Sequence, residues 1–188
     1  MRTSSRTESL APAKKAAVFG ILGALALVLS LLDSLLTATL PVFPVGVKPG
    51  LSNIAATVAA FISPAGGFFV LSIKVVFTLA SRGMSAAAMS LSGGILAVSA
   101  TTLLVLALKR SKYVEKRLSY IGICVLSAAL HSMGQLLCAC AMSGTAQLLS
   151  YGKYLLLFSL ISGFLTGVVL NLIMPRLEAL LSNQFSKR

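Results

Sequence analysis

Between Ala16 and Leu36 the chain carries a single charged residue, Asp33, in a run of Ala, Val, Ile, Leu, Phe, Gly and Ser. A helix needs about 20 apolar residues to cross roughly 30 Å of hydrocarbon, so this run is long enough to span a bilayer. Further apolar runs follow, and dividing them at their Gly, Pro and Ser punctuation predicts six spans near 16–36, 50–63, 66–81, 84–108, 118–142 and 151–175. The second and third are short and separated only by Ser63-Pro64-Ala65-Gly66-Gly67, which predicts a tight helical hairpin. The expected fold is all-α, an integral membrane bundle of about six transmembrane helices over 16–175. Basic tails at 1–15 and 176–188 flank it.

Composition agrees: 57% of the 188 residues are hydrophobic and 11% charged, with a mean hydropathy of +0.95. A water-soluble domain averages roughly a quarter charged residues, because its surface faces water. Sixteen basic residues against four acidic ones give a net charge of +12, which in a soluble protein would suggest nucleic acid. Here the basic residues lie between apolar runs instead of forming an aromatic-studded patch, so orientation in a bilayer accounts for them and no nucleic-acid partner is expected. With both termini cytoplasmic, the inner segments hold twelve of the sixteen, among them Lys14, Lys15, Lys109, Arg110 and Arg176. Tyr113 and Tyr120 then flank the inner side, and Tyr151 and Tyr154 the outer. The basic start could introduce a secretory signal, but its apolar run is long and no clean small-x-small cleavage site follows. Cys124, Cys138 and Cys140 are odd in number and lie in one apolar stretch, which fits small core residues better than a disulfide framework or a metal site.

Polar residues in hydrocarbon are costly unless they are paired, face water or bind something. The candidates are Asp33, Lys48, Asn53, Lys74, Arg82, His131 and Gln135, and the topology places all seven in the outer half, as a cavity open to the outside requires. His131 and Gln135, four apart, share a helical face. Each has a structural alternative: His131 can bond a neighbouring helix, and Lys74 can pair with Asp33. Lys48, Lys74 and Arg82 still outnumber the one carboxylate, so an anionic ligand is the natural complement. Gly46, Pro49 and Gly50 in Val45-Gly46-Val47-Lys48-Pro49-Gly50-Leu51-Ser52-Asn53 let backbone approach a ligand or let the loop gate the site, with a plain surface turn as the alternative. Small residues recur at four-residue spacing as Ala16, Gly20 and Ala24, and again as Ser159, Gly163 and Gly167, allowing close helix approach within the bundle or to a partner.

No Gly-rich loop ending in Lys-Ser/Thr is present for ATP, no aspartate pair for a Mg²⁺-diphosphate, and no Gly-x-Ser-x-Gly or His-Glu-x-x-His element. With four carboxylates and one histidine the chain is not expected to be an enzyme, nor to hold a metal or prosthetic group.

Gly46-Val47-Lys48-Pro49-Gly50-Leu51-Ser52-Asn53 before the second span and His131-Ser132-Met133-Gly134-Gln135 in the fifth resemble motifs of the Gx transporter family, also described as heptaprenyl diphosphate synthase component I. Pro49, Ser52 and Ser132 replace that pattern's Leu, Ala and Asn. The family is similar to the substrate-binding S components of energy-coupling factor (ECF) transporters. The resemblance implies a bacterial cytoplasmic (inner) membrane, a gating loop at 37–50, and docking of a transmembrane coupling subunit on Ala16, Gly20 and Ala24, with ATPases as separate partners. Some relatives accompany flavin-attachment genes, which implies a flavin as the transported substrate. Two other readings stand beside vitamin uptake: a noncatalytic membrane subunit of a heptaprenyl diphosphate synthase, and an assembly subunit of a membrane redox complex.

Overall fold

Helix formation begins at Pro12, where a proline suits the first turn because its missing N–H has no intrahelical partner there, and continues to Thr39 as α1. The structure is a computed structural model that describes residues 12–39, 50–110 and 119–183. All its regular elements over those residues are helical. After α1 come α2 (Ser52–Ile62), α3 (Pro64–Arg82), α4 (Met84–Arg110), α5 (Tyr120–Ser143) and α6 (Gly152–Asn183), with a short 3₁₀ turn over Ala146–Tyr151 before α6. Five segments are long and apolar enough to cross a membrane: Lys15–Thr39, Pro64–Arg82, Met84–Leu108, Tyr120–Ser143 and Ala146–Arg176.

The second expected span, 50–63, which its sequence already marks as short, falls short of a crossing. Its helix α2 has 11 residues, which at 1.5 Å per residue reach about 16 Å, half the hydrocarbon thickness. The segment is instead the axis of the bundle. Every residue of α2 except Asn53 is buried. One side of the helix presents Ala55, Ala56, Ala59 and Ala60, letting α1 and α3 pack closely through Ala26, Val70 and Leu71. The other side presents Ile54, Val58, Phe61 and Ile62, which meet Val105 and Leu108 of α4, Ile123 and Cys124 of α5, and Leu170 and Met174 of α6.

The expected hairpin is present. Ser63 is extended (φ −156°, ψ 138°) and Pro64 opens α3, so the chain reverses through one residue. The carbonyl of Ser63 then accepts the Gly67 amide. Gly66 and Gly67 let α3 lie close to its neighbours: a Cβ on Gly67 would stand 2.8 Å from Ala60 Cβ. Tyr120 packs on Phe61 at the same end of the bundle, ring centroids 5.3 Å apart.

Outside, the polarity is that of a protein dissolved in hydrocarbon. Ile21, Leu25, Val28, Leu31 and Leu35 of α1 and Leu157, Ile161, Phe164 and Leu172 of α6 face outward, while Asp33, Lys74 and His131 are buried and Asn53, Arg82 and Gln135 half-buried; Asn171 of α6 is an exposed exception. The two small-residue stripes part company. Gly163 and Gly167 are internal, with Cβ positions 2.7 Å from Val125 Cα and 2.6 Å from Ile121 Cα, and so set the α5–α6 approach. Ala16, Gly20 and Ala24 are exposed, and a Cβ on Gly20 would meet nothing within 4 Å. Of the cysteines expected in the core, Cys124 is buried whereas Cys138 and Cys140 are only half-buried.

Candidate functional site

In a bundle whose helices face lipid with apolar side chains, polar side chains have one place to gather, which is the interior. Here they surround a cavity of about 220 Å³ toward the C-terminal ends of α1 and α3, the middle of α5 and the starts of α2, α4 and α6. Six of the seven expected site residues line it: Asp33 from α1, Asn53 from α2, Lys74 and Arg82 from α3, and His131 and Gln135 from α5. Gly50 lines it as well, at φ +75°, a backbone conformation that favours glycine. Lys48, Gly46 and Pro49 lie outside the described residues, as does most of the 37–50 loop read as a gate.

Each side chain arrives by helical spacing. Lys74, Thr78 and Arg82 are four apart and form one polar face of α3. His131 and Gln135 do the same on α5, as expected. Lys74 is 7% exposed, and its Nζ donates a 2.7 Å hydrogen bond to Asn53 Oδ1. Arg82 is half-buried and donates through Nη2 to the carbonyl of Ser30 at 3.3 Å. Buried cations in a membrane protein are held by such oxygen atoms, so α3 is tied to both α1 and α2 through its basic residues.

Asp33 does something the sequence did not suggest. Its Oδ1 accepts the Leu51 amide at 3.0 Å and its Oδ2 the Ser52 amide at 3.1 Å. The first amides of a helix have no intrahelical acceptor, and a carboxylate there satisfies them and complements the positive end of the helix dipole. Asp33 thus caps α2 from another helix and fixes where that helix begins.

The sequence reading also missed a rim of hydroxyl groups: Ser30, Ser52, Thr78, Ser90, Ser132, Ser159 and Ser162 line the same cavity. A signal was available, since Ser30 is three residues before Asp33, Thr78 lies midway between Lys74 and Arg82, and Ser159 and Ser162 share a face of α6. Among the described residues the charges lining the cavity are two cations and one carboxylate, the latter already accepting two amides. The arrangement suits a small ligand with an anionic group and several hydrogen-bonding atoms. Among the described residues no group of three or more His, Cys, Asp or Glu side chains is placed to hold a metal ion.

No curated protein and no solved structure matches the chain. A family model does, over residues 22–173, a stretch that contains every residue lining the cavity. The chain belongs to the family described as heptaprenyl diphosphate synthase component I.

Proposed function

We propose that this protein is a noncatalytic membrane component that holds the phosphate or diphosphate group of a small molecule in the polar cavity, as a subunit of a heptaprenyl diphosphate synthase. The observation that carries binding is the convergence of Lys74 and Arg82, with Asn53, His131, Gln135 and a rim of hydroxyls, on one cavity of about 220 Å³. The family's description supports the synthase assignment. Two features support a noncatalytic role: the sequence has no aspartate pair of the kind that holds Mg²⁺ on a diphosphate, and Asp33 is engaged in capping α2.

The cavity also weighs on ligand chemistry. Pockets for drug-sized ligands run about 300–1,000 Å³ and are predominantly apolar and aromatic. This one is smaller, and among the described residues its lining is rich in hydroxyls and holds no Phe, Tyr or Trp, which supports a compact anion over an isoalloxazine ring system.

One observation favours a second reading, uptake of an anionic cofactor such as a flavin in the manner of an S component. The cavity lies toward the C-terminal ends of α1 and α3 and the start of α4, away from Lys15 and Arg110, so the positive-inside rule turns it outward. In that reading the exposed Ala16, Gly20 and Ala24 stripe meets a coupling subunit, and ATPases act as separate chains.

The test is to purify the chain in mild detergent and identify co-purifying small molecules by mass spectrometry, beside Lys74→Ala. A prenyl diphosphate lost in the variant supports the synthase component, and a flavin lost in the variant supports uptake. A chain that carries neither and binds neither when they are added refutes both.

A further inference from the structure

Two of the helices that line the cavity, α4 and α5, cross through glycine at close range. A Cβ built on Gly134 would stand 2.8 Å from Gly93 Cα and 2.8 Å from the Ser92 carbonyl oxygen. A Cβ on Gly93 would stand 2.6 Å from the His131 carbonyl oxygen, 2.8 Å from Gln135 Cγ and 3.0 Å from His131 Nδ1. Neighbours that close must shift, and one of them is backbone. A hydrogen bond crosses at the same point, with Ser92 Oγ donating to the Gly134 carbonyl at 3.0 Å. None of Ser92, Gly93 and Gly134 lines the cavity, yet the turn of α5 they hold carries His131 and Gln135 into it.

We infer that Ser92 and Gly93 are positioning residues for the ligand site: the bare backbone at 93 and the hydroxyl at 92 set the distance and rotation of α5 that aim His131 and Gln135 into the cavity. Small residues at helix crossings are ordinary devices for close packing. This crossing differs in that the atoms a side chain at 93 would displace belong to the two site residues themselves. Packing alone would place the cost anywhere along α5. Gly93 places it on His131 and Gln135.

The inference rests on the cavity being the binding site, but its test does not. The chain has one histidine, so an untagged protein labelled with ¹⁵N-histidine gives the imidazole signals of His131 alone. Ser92→Ala and Gly93→Ala should each shift those signals and change the rate at which diethyl pyrocarbonate modifies His131, and Ser92→Thr, which keeps the hydroxyl, should restore both. Gly167→Ala, whose Cβ would be 2.6 Å from Ile121 Cα at the other end of α5, should leave them unchanged. If Gly93→Ala fails to fold, the Ser92 pair decides alone. His131 signals and reactivity that are identical in the parent and Ser92→Ala, or that move equally in Gly167→Ala, overturn the inference. Titrating the parent with inorganic pyrophosphate and following the same signals asks separately whether the cavity binds an anion.

Discussion

Asp33 and Ser52 are joined across the α1–α2 interface by a 3.1 Å hydrogen bond from the Ser52 amide to Oδ2, beside the partner bond from Leu51 to Oδ1. The carboxylate is 3% exposed and serves as the N-terminal cap of the one helix buried on all sides. Removing a cap costs about 1 kcal/mol and each buried hydrogen bond to a charged group about 1.5–3 kcal/mol, so Asp33→Ala should destabilise the bundle by roughly 2–4 kcal/mol. Asp33→Asn keeps an acceptor and should cost about half as much. Thermal unfolding in detergent reads the difference. Because Asp33 is the one carboxylate among the described residues that lines the cavity, Asp33→Asn should also leave anion affinity equal or raised. A fall in affinity with the fold intact would mean that the carboxylate touches the ligand directly.

Lys74 is a buried cation lining the site, and Asn53 Oδ1 holds its Nζ at 2.7 Å. If the ligand is an anion, Lys74→Ala should lower affinity at least tenfold, about 1.4 kcal/mol or more. Asn53→Asp should do the same without removing the cation, since a carboxylate at 53 would neutralise it. Equilibrium binding of pyrophosphate, a prenyl diphosphate and FMN to the two variants checks this. Unchanged affinity for all three in Lys74→Ala would remove the electrostatic basis of the proposal.

These two residues illustrate how much of the site was legible in the sequence. Asp33, Asn53, Lys74, Arg82, His131 and Gln135 announce themselves because charges and amides are expensive in hydrocarbon and must be housed together. The hydroxyls did not. Thr78 bonds the carbonyl of Lys74 and Ser159 that of Leu156, each inside its own helix, so such residues cost little in a span and only their helical spacing from a charged residue marks the wet face. The six apolar segments were legible, and so was the shortness of the second, but the point where α2 begins was not. It begins where Asp33 supplies a cap from a distant part of the chain, and hydropathy carries no record of that contact.

The two small-residue stripes should respond oppositely to added bulk. Gly167→Ala forces a Cβ to 2.6 Å from Ile121 Cα and should cost roughly 1–3 kcal/mol through overpacking. Gly20→Ala meets nothing within 4 Å and replaces glycine in a helix, so stability should hold or rise by up to about 1 kcal/mol. Gly20→Leu should then leave folding and anion binding intact while blocking any partner that docks on the exposed stripe of α1. Pull-down of associated subunits with and without Gly20→Leu checks the last point, and identical recovery would show that partners attach elsewhere.

The two ends of α4 decide which side of the membrane the cavity faces. Met84 is 73% exposed at the cavity end, and Arg110 is exposed at the other, about 40 Å away along a helix of 27 residues. In a chain with Cys124, Cys138 and Cys140 replaced by serine, Met84→Cys should react with a membrane-impermeant maleimide added to intact cells, and Arg110→Cys only after permeabilisation. The expectation follows from the twelve basic residues that the topology gathers on the inner side. The outcome bears on function because a cavity that opens outward can capture a solute from outside, while one that opens inward can receive a diphosphate made in the cytoplasm. Labelling of Arg110→Cys in intact cells, with Met84→Cys protected, would turn the bundle over. It would also remove the one observation that favours uptake over the synthase component.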